Sequence, residues 1–575
     1  MSEQQQDHTS ETTDVEGHGG THAVAAATAH GQSVVWTLSG AHVFPVYDAA
    51  VGGRETVAEA GGDTRRAERE GPLRLIDVRH EATAAFAAEA TGKLTRTPGF
   101  AVVTAGPGVT NTVSAITSAW FNGSPMVVLG GRSPAGRWGT GALQELDHPP
   151  LVAPVTKAAF TITDPAQAAP ELDRAFRLAG QPHRGPVFAD IPMDVLFSHG
   201  SAPAPTGARD ERPSVDDDAV TRIARLLAEA ERPVLVLGGD VWADGADSVA
   251  REVVTELGLP VIANGMGRGI LPRGHECLVT RARSAAFSGA DLVVVIGAPL
   301  DFRLGYGRFG GNDGAPPAAV VHIVDAPSQL AGHVDLAAAT AGDLATILRG
   351  IADNYGRHPG TDHAAWASGL LERHRAAVAA DAADLASDAD PIHPARIYGE
   401  LIPRLADDAV VIGDGGDFVS FAGRYIEPMR PGNWLDPGPY GCLGTGLGYG
   451  MAARLARPDS QVVLLLGDGA AGFSLMDIDT LVRHDLPLVM VVGNNKSWAL
   501  EKHPMKFLYG YDVIADLQPT RYDEVAVALG AGGETVTDPA AIGPALDRAF
   551  ASGVPYLVNV MTDTEVAYPR STTGV

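Results

Sequence analysis

At 575 residues the chain is too long for a single hydrophobic core and fits three domains of ordinary size. Its formal net charge of −26 excludes nucleic acid and anionic membrane surfaces as natural partners, and an anionic substrate would have to meet a local basic pocket. Cys277 and Cys442 are the only cysteines and lie far apart, which argues against a disulfide framework and fits a reducing, cytoplasmic compartment.

Residues 1–18 are polar, rich in Glu, Gln, Thr and His, and are expected to be disordered. They lack the basic-then-apolar order of a signal peptide, and no later apolar run approaches the roughly 20 residues of a membrane helix. A first α/β block follows over 19–200, with strand-like runs at 34–38, 73–78, 100–104 and 126–129 and Ala-rich helical stretches such as 82–93. Residues 201–213, rich in Pro, Ala and Ser, read as a linker. The block 214–356 opens with a helix and continues with runs at 233–237, 260–263, 292–296 and 320–324, the pattern of a doubly wound, nucleotide-binding-like domain. An Ala- and His-rich helical connector spans 357–392, a third block covers 393–562, and 563–575 forms a tail or lid. Strand and helix alternate throughout, so the expected fold class is α/β, with three doubly wound domains built on parallel sheets. The first and third blocks share size and pattern.

The third block holds the most informative feature. The apolar run 461–466 reads as a buried parallel strand ending at Gly467-Asp468-Gly469. Residues 473–484 have helical periodicity, and 488–492 is a second apolar run leading to Asn494-Asn495. Two strands joined by one helix lie parallel, so Asp468 and Asn495 emerge at the carboxyl ends of their strands, where α/β sheets bind ligands. One carboxylate and one amide oxygen suit a hard cation such as Mg²⁺, which keeps positions open for water and phosphate oxygens. The glycines let backbone N–H groups approach those phosphates. The pattern reads as a metal–diphosphate site; in isolation it also fits a turn with Gly at positive φ and Asn at loop ends.

Gly-Asp-Gly followed at this interval by Asn-Asn resembles the diphosphate signature of thiamine-diphosphate (ThDP) enzymes. Other segments resemble the same superfamily in the right order: Arg79-His80-Glu81, Thr104-Ala105-Gly106-Pro107-Gly108-Val109-Thr110-Asn111, Gln144-Glu145, Pro154-Val155-Thr156-Lys157, Gly185-Pro186-Val187 and Asp190-Ile191-Pro192. The resemblance spans everything but the N-terminal tail and implies pyrimidine-binding, middle and diphosphate-binding domains in that order. By it, Asp468, the Asn495 side chain and the Ser497 carbonyl hold Mg²⁺. Gly467, Gly469, Ala470, Gly416, Asp417 and Phe418 enclose the diphosphate. Glu81, otherwise an ordinary dipole partner at a helix start, becomes the carboxylate on the aminopyrimidine ring. There it favours the imino tautomer that takes the proton from the thiazolium C2, the cofactor supplying the hard chemistry. Leu443 becomes the apolar wedge that bends the cofactor, and Gly441 offers its carbonyl to the 4′-amino group. Outside the family, Leu443 is simply an apolar residue in a Gly-rich turn.

The subtype turns on fewer residues. Glu501 stands where pyruvate-decarboxylase-like members carry an active-site acid/base and where acetolactate synthases usually carry an apolar residue; by itself it also fits a solvated helix carboxylate beside Lys502. His42, in Gly40-Ala41-His42, resembles an active-site His of benzaldehyde-lyase-type enzymes, though a loop His is often just solvated. Gln144 and Lys157 match positions lining the substrate channel. In the middle block, Ala282-Arg283-Ser284-Ala285 leans towards enzymes that bind CoA or ADP there, and Asp301-Phe302-Arg303 towards acetolactate synthases, which bind FAD. Glu501 and His42 favour a carbon–carbon lyase, and the chain looks like an actinobacterial 2-hydroxyacyl-CoA lyase of the kind cleaving 2-hydroxyisobutyryl-CoA. That resemblance implies an acyl-CoA substrate, with Arg283 and Arg303 as candidates for the CoA phosphates. It also implies a homodimer as the minimum active unit, commonly paired into a tetramer. Tyr568-Pro569-Arg570 is expected either to close over the pantetheine arm or to fray. The competing readings are acetolactate synthase, a flavin-dependent pyruvate oxidase and, more remotely, a non-catalytic scaffold.

Overall fold

The strands β1 (Val15–His18) and β8 (His199–Ala202) pair antiparallel, with Val15 opposite Ala202 and His18 opposite His199. Residues 15–18 of the stretch expected to be a disordered tail thus form a strand, and the expected linker begins inside a strand. Neither strand carries the alternating β-branched pattern that betrays one, because Gly and His fill them and pairing alone fixes them. The computed structural model describes residues 14–208, 212, 214–311, 316–358 and 360–569; the rest of the tail and part of the linker lie outside them.

The chain divides into two units, one of residues 1–88, 97–120 and 124–210, the other of 89–96, 121–123 and 211–575. In the first, β2 (Val34–Thr37), β3 (Arg74–Asp77), β4 (Gly99–Val103), β5 (Met126–Arg132), β6 (Ala158–Thr161) and β7 (Pro186–Pro192) form a parallel sheet in the order β3-β2-β4-β5-β7-β6. The strand β5 runs three residues past the apolar stretch at 126–129, through Gly130 and Gly131. Both glycines are steric necessities. A Cβ on Gly131 would sit 2.5 Å from Cβ of His42, and one on Gly130 2.9 Å from Val109. Glycine is a poor strand former, so the extension was invisible to apolar patterning.

The second unit contains two sheets. The strands β9 (Pro233–Leu237), β10 (Val261–Ala263), β11 (Leu292–Ile296), β12 (Ala319–Val324) and β13 (Ala338–Ala341) lie parallel in the order β10-β9-β11-β12-β13. Side chains alternate between faces: Leu235, Leu237 and Val294 enter one apolar core, Val234, Val236 and Val293 another. Burial on both faces explains why the strands read as unbroken apolar runs.

The last sheet comprises β14 (Val410–Asp414), β15 (Trp434–Leu435), β16 (Val462–Gly467), β17 (Val489–Asn494), β18 (Gly532–Val536) and β19 (Tyr556–Met561), ordered β15-β14-β16-β17-β19-β18. Taken rank by rank, this is the order of the first sheet. Between β16 and β17 the expected helix over 473–484 is broken into Asp468–Ser474, a 3-10 turn Leu475–Asp477 and Ile478–Arg483. The buried Asp477 carboxylate accepts from the Thr480 hydroxyl at 3.0 Å, a local bond that competes with a continuous helix.

Leu237→Ala, at a fully buried position in the middle sheet, is expected to cost about 2–5 kcal/mol of middle-domain stability. A lowered urea midpoint by tryptophan fluorescence would register it.

Candidate active site

In the last sheet the chain moves from β14 outward to β15, then returns to the other side of β14 for β16. This reversal is a topological switch point, where a crevice opens beyond the carboxyl ends of the strands. A cavity of about 250 Å³ lies there. It is lined by Gly416, Asp417 and Phe418 after β14, Gly441 and Leu443 after β15, Gly467, Asp468, Gly469 and Ala470 after β16, and Asn495, Ser497 and Glu501 after β17. Every residue that the sequence placed in the third block's site borders this one space.

Asp468 opens the helix Asp468–Ser474 and is buried, its Oδ1 accepting from Gly469 N–H at 3.0 Å and its Oδ2 from Ser497 N–H at 3.2 Å. Burial pushes its pKa up to about 6, against the pull of those N–H groups. The Asn495 Oδ1 is buried with no hydrogen-bond partner among the described residues, and the adjacent Lys496 takes a left-handed φ of 60° that turns the loop. The Asn495 carbonyl accepts from the Thr564 hydroxyl at 2.8 Å, and the Asp468 carbonyl accepts from the Tyr522 hydroxyl at 2.9 Å. A Cβ on Gly469 would lie 2.3 Å from the Trp498 ring, and one on Gly416 would lie 1.9 Å from Leu500, so side chains shut these positions. Lys502 gives its ammonium to Asp516 at 2.6 Å. Glu501, one residue before it, is exposed in the first turn of the helix Ala499–Tyr509.

The first unit brings a second set together. Glu81 begins the helix Glu81–Thr95 after β3, is buried, and accepts from the Asn111 side chain at 2.9 Å. His42 is buried with Nδ1 3.1 Å from the Thr104 hydroxyl, and burial lowers its pKa. Gln144 has a left-handed φ of 60°, with its Cβ 2.8 Å from where Gly106 would carry one. Sequence reasoning missed a relay beneath this edge. Gly106 N–H donates to His148 Nε2 at 2.9 Å, and His148 Nδ1 lies 2.8 Å from Asp190, which also accepts from Arg132 at 3.0 Å. Because Nε2 accepts, His148 is the neutral Nδ1–H tautomer. Asn111 had been visible only as a motif letter.

In the middle domain Arg303 is bound to Asp301 at 2.7 Å, and Arg283 donates to the Arg303 carbonyl. Burial, with Arg303 nearby, lowers the Arg283 pKa to about 10. The structure thus joins the two candidate cations, with Arg303 already neutralised by a carboxylate. The C-terminal stretch does not fray before Tyr568, whose N–H donates to both Asp417 oxygens at 3.1 Å and whose ring meets Phe421 edge-on. Arg570 lies outside the described residues.

Family models match all three blocks of the chain. The N-terminal TPP binding domain of thiamine pyrophosphate enzymes matches residues 18–151, their central domain 220–351, and their C-terminal TPP binding domain 414–560. This chain belongs to the thiamine pyrophosphate enzyme family. Among ThDP enzymes (thiamine pyrophosphate and thiamine diphosphate being one compound), it is 48% identical over 557 residues to the acetolactate synthase large subunit IlvG of Mycobacterium tuberculosis, covering 96% of this chain and 97% of that protein. It is 32% identical over 566 residues to 2-hydroxyacyl-CoA lyase 2 of Homo sapiens, covering 90% and 84%. The lyase of Caenorhabditis elegans with the same name is also 32% identical, over 569 residues, covering 91% and 85%. Among the described residues of this ThDP enzyme no helix is long and apolar enough to cross a membrane.

The third domain's residues fit a bound metal diphosphate. An orphaned buried amide oxygen costs about 1–3 kcal/mol, and a desolvated carboxylate beside it costs more. A divalent cation would satisfy both at once. Asp468→Asn keeps the volume and removes the charge; Mg²⁺ needed to support ThDP binding is expected to rise at least about tenfold. Calorimetric Mg²⁺ titration in the presence of ThDP checks this, with circular dichroism to confirm the fold.

Proposed function

We propose that this ThDP enzyme is a Mg²⁺-dependent carbon–carbon lyase that cleaves a 2-hydroxyacyl-CoA to formyl-CoA and a ketone or aldehyde. One observation carries the reading: Glu501 borders the same cavity as Asp468, Asn495 and Leu443. A proton-transfer group at that place suits release of a protonated one-carbon acyl fragment. When bound, ThDP supplies the carbon nucleophile and the electron sink.

The side chains do the rest. Asp468, the Asn495 amide oxygen and the Ser497 carbonyl hold Mg²⁺, and the glycine turns admit the diphosphate. Leu443 would be the apolar surface on which the cofactor packs. Glu81, with one oxygen held by Asn111, keeps a proton on the pyrimidine N1′. His42, whose pKa burial lowers, is a fit acceptor for the substrate's 2-hydroxyl proton as C1–C2 breaks. Glu501 returns a proton to C1, which leaves as formyl-CoA. Arg283 is the better candidate for a CoA phosphate, because Asp301 already answers the charge of Arg303. The minimum active unit in this reading is a homodimer in which the first domain of one copy faces the third domain of another.

A second reading, acetolactate synthase, is favoured by the name and 48% identity of the mycobacterial relative. Parallel assays of 2-hydroxyisobutyryl-CoA and pyruvate, with an absorption scan of the purified protein, separate the two. The lyase reading expects formyl-CoA and no stoichiometric flavin; acetolactate from pyruvate together with bound flavin would overturn it. Glu501→Gln is expected to lower turnover by about 10²–10⁴ while ThDP still binds; turnover at the wild-type rate would remove Glu501 from the chemistry. Glu81→Ala is expected to abolish exchange of the cofactor's C2 proton with the fold retained, and NMR of the quenched cofactor reads that exchange.

A further inference from the structure

Asp414 is the last residue of β14 and is wholly buried. It accepts from two backbone groups where the loop after β15 turns into the helix Gly446–Ala456: Gly444 N–H donates to Oδ1 at 3.1 Å, and Gly446 N–H, at the first residue of that helix, donates to Oδ2 at 2.8 Å. A carboxylate withdrawn from water is costly unless its charge is met. Burial pushes the Asp414 pKa up to about 7, and the two N–H groups pull it back. The loop is shaped around this group. Gly444 takes a left-handed φ of 85°, and a Cβ on Gly446 would stand 2.9 Å from Cβ of Asp414 and 2.7 Å from Leu464. Leu443 immediately precedes the first of the two held amides and borders the cavity, which Asp414 itself does not.

We propose that Asp414 is a positioning residue that sets Leu443 against the cofactor by clamping the loop on both sides of Thr445. The proposal rests on the reading of Leu443 as the surface that bends ThDP. Its mechanism is geometric. A two-oxygen acceptor fixes two N–H groups two residues apart, and so fixes the entry of the preceding side chain into the cavity.

Asp414→Asn keeps the size and turns one acceptor into a donor facing an N–H group. In the apoprotein, amide exchange of the peptide covering residues 437–447 is expected to accelerate about tenfold, as for one lost buried hydrogen bond, and Leu443→Ala is expected to leave it unchanged. With ThDP and Mg²⁺ bound, C2 proton exchange is expected to slow at least tenfold in Asp414→Asn and in Leu443→Ala. The double variant should then be no slower than Leu443→Ala, because a residue acting only through Leu443 has nothing left to act on. Gly446→Ala leaves the carboxylate in place but crowds it, and should slow C2 exchange likewise; it carries the test if Asp414→Asn does not fold. Wild-type exchange rates in Asp414→Asn, or in Gly446→Ala if it stands alone, would overturn the proposal, as would a double variant that loses the product of the single effects. Absence of C2 exchange in the wild type would instead overturn the ThDP reading, and this proposal with it.

Discussion

Two buried carboxylates govern the third domain, and each is tolerable only because something meets its charge. Asp414 is met by the chain itself, through two amides where the loop that bears Leu443 turns into a helix. Asp468 likewise accepts two N–H groups, from Gly469 and Ser497, but it borders the cavity, as does Asn495, whose amide oxygen has no hydrogen-bond partner among the described residues. Asp414 is closed away from the cavity, whereas Asp468 and the partnerless Asn495 oxygen border it, an unfinished group that a cation would complete. The glycines, the left-handed Lys496 and the ties from Tyr522 and Thr564 all serve to keep that unfinished group in one place.

The repeated strand order gives candidate residues far apart in sequence matching places in the first and last sheets. In the first and last sheets the second strand in sequence lies at one edge and the first beside it. Glu81 follows the second strand of one sheet and Leu443 the second strand of the other. Gly106 and Asp468 each follow the third strand. Chemically different residues thus occupy matching ranks, each at a carboxyl edge, where helix starts and exposed amides gather.

Much of this was legible in the sequence. Parallel strands buried on both faces announce themselves as apolar runs, and Gly-Asp-Gly with Asn-Asn needed only the rule that such strands point the same way. Other features had no local signal. The strand Val15–His18 exists through its partner nearly two hundred residues later, and β5 continues through Gly130 and Gly131, glycines that make room for Val109 and His42. Asp414 reads as one letter in an Asp-Gly-Gly-Asp turn, and only its distance to Gly444 and Gly446 shows its purpose. The relay from Gly106 through His148 to Asp190 joins residues 42 positions apart in each step. Helical periodicity over 473–484 failed because Asp477 offers the backbone a competing bond.

The cavity wall carries three acidic side chains, Asp417, Asp468 and Glu501. In the proposed reading, a pyrophosphate group arriving alone would meet those charges, and a dication arriving alone would find no phosphate oxygens to complete its shell. Each guest therefore prepares the place for the other. By the reciprocity of linked equilibria, whatever factor the dication adds to the affinity for the polyanion, the polyanion returns to the dication. Occupancy should accordingly behave as a joint event, rising steeply with the product of both concentrations.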